Sequence, residues 1–471
     1  MTTDRSRARA GSRARIAIVG PTHPYKGGVA QHTTELAHRL AARGHDVRVE
    51  SWSAQYPARL YPGRQRVGDP ETEPFPATSY PLSWRRPDSW LRLGRRLRAD
   101  VDAVVIVMVT PVQAPAYLGV LAGLRPAENS VAGLRPADPR PESTPAGPRP
   151  AGNGLAGLRP GDVPAGPRPA EDSPAARGSR GAPAVRASGD GPVALALCHN
   201  VLPHERRALD EPLVRAVLRR VSGVLVHTQA EAERARRLTA RPVSVAPMAP
   251  HLWTTGGGAV AGSGGSPAVD LPVLESNPLK PNPLKPNAGR HRDGVPGRRL
   301  LFFGLVRPYK GLDVLLRALA AGPPDVHLTV AGEFWGGVGD TRRMIDELGL
   351  AGRVDLRPGY VPAADVPALF AAADAVVLPY RSATATQNVD LAHRYGLPVV
   401  ATAVGMLAQA VRDGVDGLLA TPGDPMSLAA ALHRLYEPGM LDALRAAVVP
   451  PDVDAAWDRY LTVLCDALGR L

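Results

Sequence analysis

"RLLFFGLVRPYKGLDVLLRAL" (residues 299–319) decides the fold. The apolar run "LLFFG" leads into a turn holding Pro308 and Lys310. Leucines at helical spacing follow. This reads as a buried strand, a tight corner and a helix. The central tetrapeptide "PYKG" also occurs at Pro24–Gly27, inside "RIAIVGPTHPYKGGVAQHTTELAHRL" (residues 15–40). The chain therefore builds the same kind of corner twice.

Working outward from the first corner, "RIAIVG" reads as a strand, residues 28–43 as a helix, and "DVRVESW" and "DAVVIVMV" as strands before helical "PVQAPAYLGVLAG". The alternation continues with "VALALCHN", a helix at 211–220, "GVLVHT", a helix at 229–238 and "VSVAP". A second series begins at Arg299, with strands "LLFFG", "VHLTVAG", "VDLRPGY", "AVVLPY", "PVVAT" and "GLLA". Strands alternating with helices imply parallel sheets covered on both faces. The expected class is α/β, with two Rossmann-like domains facing across a cleft, and each corner is the first strand-to-helix turn of one domain.

Two stretches interrupt this pattern. Residues 122–192 repeat units such as "AGLRPA" and "AGPRPA", which have too few large apolar side chains to bury a face, so a disordered insertion is expected. Residues 251–298, with "GGGAVAGSGGS" and a doubled "NPLKP", read as a flexible linker. Residues 1–14 read as a basic disordered arm, and 431–471 as C-terminal helices expected to cross back to the first domain.

Composition narrows the function. The 471 residues are 44% hydrophobic, enough for sizeable cores, while 50 Pro and 48 Gly exceed what a compact fold uses. Two cysteines, Cys198 and Cys465, make neither a disulfide framework nor a metal cluster, which fits a reducing cytoplasm. The basic N-terminus lacks the apolar region of a secretory signal. No run approaches the ~18 apolar residues of a membrane-spanning helix. A net charge of +12 suggests an anionic partner, but no nucleic-acid module accompanies it.

In open α/β sheets, ligands sit beyond the carboxyl ends of the strands, where both corners lie. The second corner adds Arg307 and Lys310 at a helix N-terminus, a candidate diphosphate site. A solvated lysine is the bland reading of Lys310; Arg307, Gly304 and the strand end outweigh it. Neither corner carries a Walker A loop or GxGxxG, so ATP hydrolysis and nicotinamide binding lose support. Gly27 and Gly28 read equally as a flexible turn or as close backbone approach to a ligand. His199 ends a strand at the cleft side.

Together these residues resemble glycosyltransferase family 4, retaining enzymes of the two-domain GT-B fold. The resemblance rests on "P…GG…ELAHRLAARGHDV", "FFGLVRPYKGLDVLLRAL", "GYVPAADVPALFAAADAVVLPYRSATATQ", "YGLPVVAT" and "DGVDGLLATPGDP". It implies that residues 15–250 are the acceptor-side domain and 299–430 the nucleotide-sugar domain. It implies that Arg307 and Lys310 hold the donor diphosphate and that His199 lies beside the transferred sugar as a catalytic residue. Gly304, Gly332, Tyr360, Ser382, Thr384, Thr386, Gln387 and Asn388 would contact the donor, Tyr360 near the base. Gly27 and Gly28 would approach donor or acceptor. The chain departs from the family's usual pair of glutamates, whose positions fall here on Ala383 and Leu391, and it follows a branch with "PYRSAT".

The expected reaction is hexosyl transfer from a nucleoside-diphosphate sugar to a glycan, lipid-linked or small polyol acceptor, with retention and with neither metal nor cofactor. Its expected setting is polysaccharide or envelope glycoconjugate synthesis. The sequences "DVD" at Asp100–Asp102 and at Asp452–Asp454 lie at the wrong end of a strand and in the C-terminal tail, and read as structural. Two other readings stay open: an inactive sugar-nucleotide-binding protein and a sugar-nucleotide epimerase. The stretch "SWRRPDSWLRLGRRLRAD" (residues 83–100) combines tryptophan, leucine and arginine. It reads either as an outer helix of the first domain or as a peripheral contact with the anionic inner face of the plasma membrane.

Overall fold

The computed structural model of the chain describes residues 13–57, 65–68, 70, 73–125, 191–205, 207–251, 298–384 and 387–470. Most of the expected arm, insertion and linker, together with Thr386, lies outside these residues.

The first sheet contains seven strands, β1 (Arg15–Val19), β2 (Asp46–Ala54), β3 (Thr78–Ser83), β4 (Ala103–Met108), β5 (Val193–Cys198), β6 (Gly223–Val226) and β7 (Val243–Val245). Their order is β3-β2-β1-β4-β5-β6-β7 and every pair is parallel. Helices α1 (Gly28–Ala42), α2 (Asp88–Asp100), α3 (Ala114–Leu124), α4 (Asp210–Leu218) and α5 (Gln229–Leu238) connect them. Strand β4, "AVVIVM", is buried along its whole length, as a central strand covered on both faces must be. The order reverses direction between β1 and β4, which opens a crevice beyond their carboxyl ends.

The second sheet contains β8 (Arg298–Phe303), β9 (Val326–Gly332), β10 (Val354–Pro358), β11 (Ala375–Leu378), β12 (Val399–Thr402) and β13 (Gly417–Ala420), all parallel in the order β10-β9-β8-β11-β12-β13. Its helices are α6 (Leu312–Ala321), α7 (Gly339–Glu347), α8 (Val366–Ala371), α9 (Asn388–Arg394), α10 (Leu407–Ala410), α11 (Pro425–Leu435) and α12 (Met440–Ala447). The crevice here lies between β8 and β11.

Helix α13 (Val453–Gly469) leaves the second sheet. Trp457, Tyr460, Leu461 and Leu464 are buried in the same core as Ile16, Ile18, Val105 and Leu195 of the first sheet. The Trp457 indole N–H donates to the Pro250 carbonyl at 2.8 Å. Leu428, Leu432 and Leu444, from α11 and α12, stay in the second sheet's core. Of the C-terminal residues expected to return to the first domain, α13 does so.

Three expectations need correction. Strand β3 was not expected, because "TSYPLS" has no apolar run; it pairs with β2 through register shifts. Helix α3 runs to Leu124, past the expected start of the insertion at 122, because its last residues pack on α2. The first Asp-x-Asp sequence does not open β4: Asp100 ends α2, and Asp102 accepts from Arg15 Nη2 at 2.9 Å. Asp452 caps α13 by accepting from the Ala455 N–H.

Candidate functional site

The two "PYKG" corners share letters but not backbone. Gly27 sits at φ 100°, ψ 164° before α1. Gly311 sits at φ 67°, ψ 30° after a single 3-10 turn over Pro308–Lys310. A Cβ on Gly311 would lie 2.0 Å from the Pro379 carbonyl oxygen, so glycine is required there on both counts. Arg381 clamps this corner, donating to the Pro308 carbonyl at 2.7 Å and to Asp313 at 2.6 and 2.8 Å.

The lysines of the two corners differ in their partners. Lys26 is almost fully buried and is ion-paired with Glu333, just past β9 on the other sheet. Lys310 is partly buried, its Nζ 5.3 Å from the Tyr380 ring centroid, with no carboxylate partner among the described residues. Burial lowers its pKa, and Arg307 adds to the lowering. The Arg307 Nη2 donates to Glu205 at 2.6 Å, and the guanidinium lies 4.1 Å from the Trp335 ring centroid.

Gly304 and Gly332 make a close backbone approach. A Cβ on Gly332 would lie 1.9 Å from the Gly304 carbonyl oxygen, and the Gly304 N–H donates to the Ala331 carbonyl at 2.9 Å. The segment after β8 is thereby held beside the segment after β9. Tyr360 follows β10; its hydroxyl is buried without a partner among the described residues, and Lys26 Nζ is 5.7 Å from its ring centroid. The Asn388 amide donates to the Phe303 carbonyl at 3.1 Å and to the Tyr380 hydroxyl at 3.0 Å, tying α9 to the corner. Gln387 Oε1 accepts from the His251 N–H at 3.0 Å. Asp390, next to the pattern position at Leu391, is pushed up to about 6 by burial.

Ser382 and Thr384 face the other domain. Ser382 Oγ is 3.0 Å from His204 Nδ1, and the Thr384 hydroxyl donates to Asn200 Oδ1. His204 in turn stacks on Tyr309, ring centroids 4.4 Å apart and 14° from parallel. Beside these contacts lies a cavity of about 320 Å³ lined by Thr110, Asn200, His204, Glu205, Asp210, Arg307, Tyr309 and Trp335, among others. It opens beyond β4 and β5 of one sheet and β8 of the other.

His199 does not line this cavity. It is buried against His32 and His227, with His227 Nε2 3.2 Å from its Nδ1 and its own Nε2 unpartnered among the described residues. His251 joins the cluster, its Nε2 2.9 Å from where a Cβ on Gly28 would be. Gly28 therefore makes room for an imidazole. Burial pushes His227 and His251 down to about 4, and His32 and His199 also well below the ordinary value. His32 on α1 and three imidazoles beneath it, all with the charged form disfavoured by burial, thus cluster at the start of the helix. Among the described residues no group of three or more His, Cys, Asp or Glu is arranged to hold a metal ion.

Asn200, His204, Glu205, Trp335 and the Lys26–Glu333 pair escaped the sequence reading. The available signal was "HNVLPHE" directly after β5, a polar run at a strand's carboxyl end.

Two parallel sheets with crevices at their carboxyl ends define the GT-B class. Solved structures share this fold: Anabaena Alr3699/HepE in complex with UDP-glucose (TM-score 0.55, 16% identity, 97% of this chain and 100% of that chain) and sucrose-phosphate synthase from Thermosynechococcus elongatus (TM-score 0.56, 16% identity, 97% of each). Residues 297–438 match the family model "Glycosyl transferases group 1", and residues 26–127 match "Glycosyltransferase Family 4". The chain belongs to glycosyltransferase family 4. It is 34% identical over 224 residues to a D-inositol 3-phosphate glycosyltransferase of Thermobispora bispora, covering 44% of this chain and 50% of that protein. A protein of the same name from Mycobacterium tuberculosis (strain ATCC 25177 / H37Ra) is 37% identical over 175 residues, 36% of this chain and 35% of that one. The chain thus spans about half, or less, of the length of these relatives.

Proposed function

We propose that the protein transfers a hexosyl unit, with retention and without a metal, from a nucleoside-diphosphate sugar to an acceptor hydroxyl. The observation that carries this reading is Lys310, a partly buried cation with no carboxylate partner among the described residues, beside Arg307 and the N-terminus of α6. As the glycosyl–phosphate bond breaks with oxocarbenium character, the leaving diphosphate gains charge. Fixed cations and N–H dipoles stabilise that charge more in the transition state than before it. The acceptor attacks from the face that the leaving group vacates, and a phosphate oxygen takes its proton. His199, at the end of β5, is assigned to the sugar side of the site, and the cavity by Glu205 and Trp335 to the meeting of the transferred sugar with the acceptor.

The relatives named for inositol 3-phosphate support a polyol acceptor and the neighbour bound to UDP-glucose a UDP-hexose donor. The proposal extends to GDP-hexose donors, to glycan or lipid-linked acceptors, and to a role in polysaccharide or envelope glycoconjugate synthesis. Incubation with a panel of UDP- and GDP-hexoses and such acceptors is expected to release nucleoside diphosphate and give product with the donor's anomeric configuration, read by NMR. Binding without turnover across the panel would leave an inactive sugar-nucleotide-binding protein. Epimer release with no acceptor consumed would make it an epimerase.

The setting proposed is the cytoplasmic face of an anionic membrane. No helix among the described residues is long and apolar enough to cross one. Leu93 and Leu97 of α2 are spent on the core. What remains outside is Trp84, 37% exposed with Arg85 over its ring, and the outer arginines of α2, of which Arg96 is tied to buried Glu50. Such a surface binds lipid mainly by charge. Co-sedimentation with anionic vesicles is expected to weaken with salt and to fall in Arg85→Ser/Arg95→Ser, at on the order of 1 kcal/mol per arginine. Equal recovery in the supernatant with and without vesicles would remove the membrane from the proposal.

A further inference from the structure

We propose that Asn200 and His204, on the loop after β5, select the transferred sugar of the donor by hydrogen bonding its ring hydroxyls. The inference rests on the glycosyltransferase reading above. Position 383, where the family pattern puts a glutamate, is alanine. The hydroxyls on either side of it, Ser382 and Thr384, are met by the opposite domain: Ser382 by His204 Nδ1 at 3.0 Å, Thr384 by Asn200 Oδ1 and by His204 Nε2 at 3.4 Å. Polar groups from the other sheet thus meet the chain on both sides of the position left without a carboxylate.

These groups are rigidly placed. The loop is pinned where the Val201 N–H donates to buried Glu231 at 2.5 Å. The His204 ring is fixed by its stack on Tyr309. The 382–384 segment lies against Gly405, whose Cβ would fall 1.9 Å from the Ala383 carbonyl oxygen. Burial keeps His204 neutral, aided by Arg307 and Arg234 and opposed by Glu205. An imidazole, an amide and two hydroxyls form an uncharged set of donors and acceptors. That set suits a neutral polyhydroxylated ring, whereas Arg307 and Lys310 nearby suit the diphosphate. On donor binding, sugar hydroxyls take over the contacts these groups now make with one another. A sugar with the wrong hydroxyl geometry leaves them unpaired, which is how polar sites discriminate strongly.

The test uses the full-length protein, the preferred nucleotide sugar, its epimers at single ring hydroxyls, and the bare nucleoside diphosphate. Asn200→Ala and His204→Ala should lower the preference in kcat/KM for the preferred sugar over an epimer by about 10-fold or more. The Kd of the nucleoside diphosphate should stay within about 3-fold, and His204→Gln, which keeps a donor and an acceptor, should restore part of the preference. Thermal melts confirm that each variant is folded. If the residues merely clasp the two domains, every donor and the bare nucleotide lose equally and the preference is unchanged, which overturns the inference while leaving the transferase reading intact. Absence of turnover by the parent protein with any nucleotide sugar would instead remove that reading, and this inference with it.

Discussion

Replacing Lys310 by alanine is expected to cut kcat about 10²–10³-fold, the cost of removing one preorganised group that stabilises transition-state charge. The same change should leave the melting temperature unchanged or raise it. A partly buried ammonium with no carboxylate partner among the described residues, its pKa lowered by burial, is a group that folding does not favour. Sites kept for function commonly carry such a cost. Lys26 provides the contrast. It is buried against Glu333, so Lys26→Ala strands a carboxylate that is itself mostly buried and should destabilise the fold. Full activity in Lys310→Ala, or a loss of activity that merely tracks a loss of folding, would exclude the diphosphate role.

Acidification from pH 7 to 4 should destabilise the protein steeply through the histidines beneath α1. In the unfolded chain their pKa is near 6.5, while burial holds His227 and His251 at about 4. Between these values the unfolded state binds more protons than the native state. Their contribution is therefore complete above about pH 6.5 and is lost progressively down to about pH 4. Each accounts for on the order of 3 kcal/mol across that window. His32 and His199 shift in the same direction. Asp390 opposes them, since its carboxyl is held up to about 6 and the native state there keeps a proton that the unfolded chain gives up. Thermal melts across pH 7 to 4 on the parent and on His227→Gln check this: the variant's curve should be shallower by one proton's worth. A flat melting temperature in the parent would contradict the neutral cluster.

The parts of the fold that declare themselves locally were legible in the sequence. "AVVIVM" and "VALALC" can be little other than strands buried on both faces, and the leucines after each corner fix its helix. Strand β3 hid because an edge strand needs no apolar run; Thr78, Ser79 and Pro81 satisfy its place on the rim of the sheet. In the site, Arg307 and Lys310 were visible because strand, turn and charge lie within a few residues. His204 and Ser382 stand 178 residues apart, and Lys26 and Glu333 stand 307 apart, so no local period links them. The repeated "PYKG" shows a further limit. The same four residues take two backbones, since Gly311 is fixed by the Pro379 carbonyl whereas nothing crowds the Cβ position of Gly27.

The return of α13 to the first sheet bears on the order in which the protein can mature. Ile16, Ile18 and Val105 belong to the early-synthesised part of the chain, yet they share their core with Trp457 and Leu464. During synthesis α1 can cover part of that face, through Leu36 and Leu40, but the part that α13 covers waits while the whole second sheet is made. Its final closure comes once residues 453–469 have cleared the ribosome. A ribosome stalled before residue 453 would hold a chain whose second half can be native while one side of its first half still exposes apolar surface, the kind of surface that chaperones recognise.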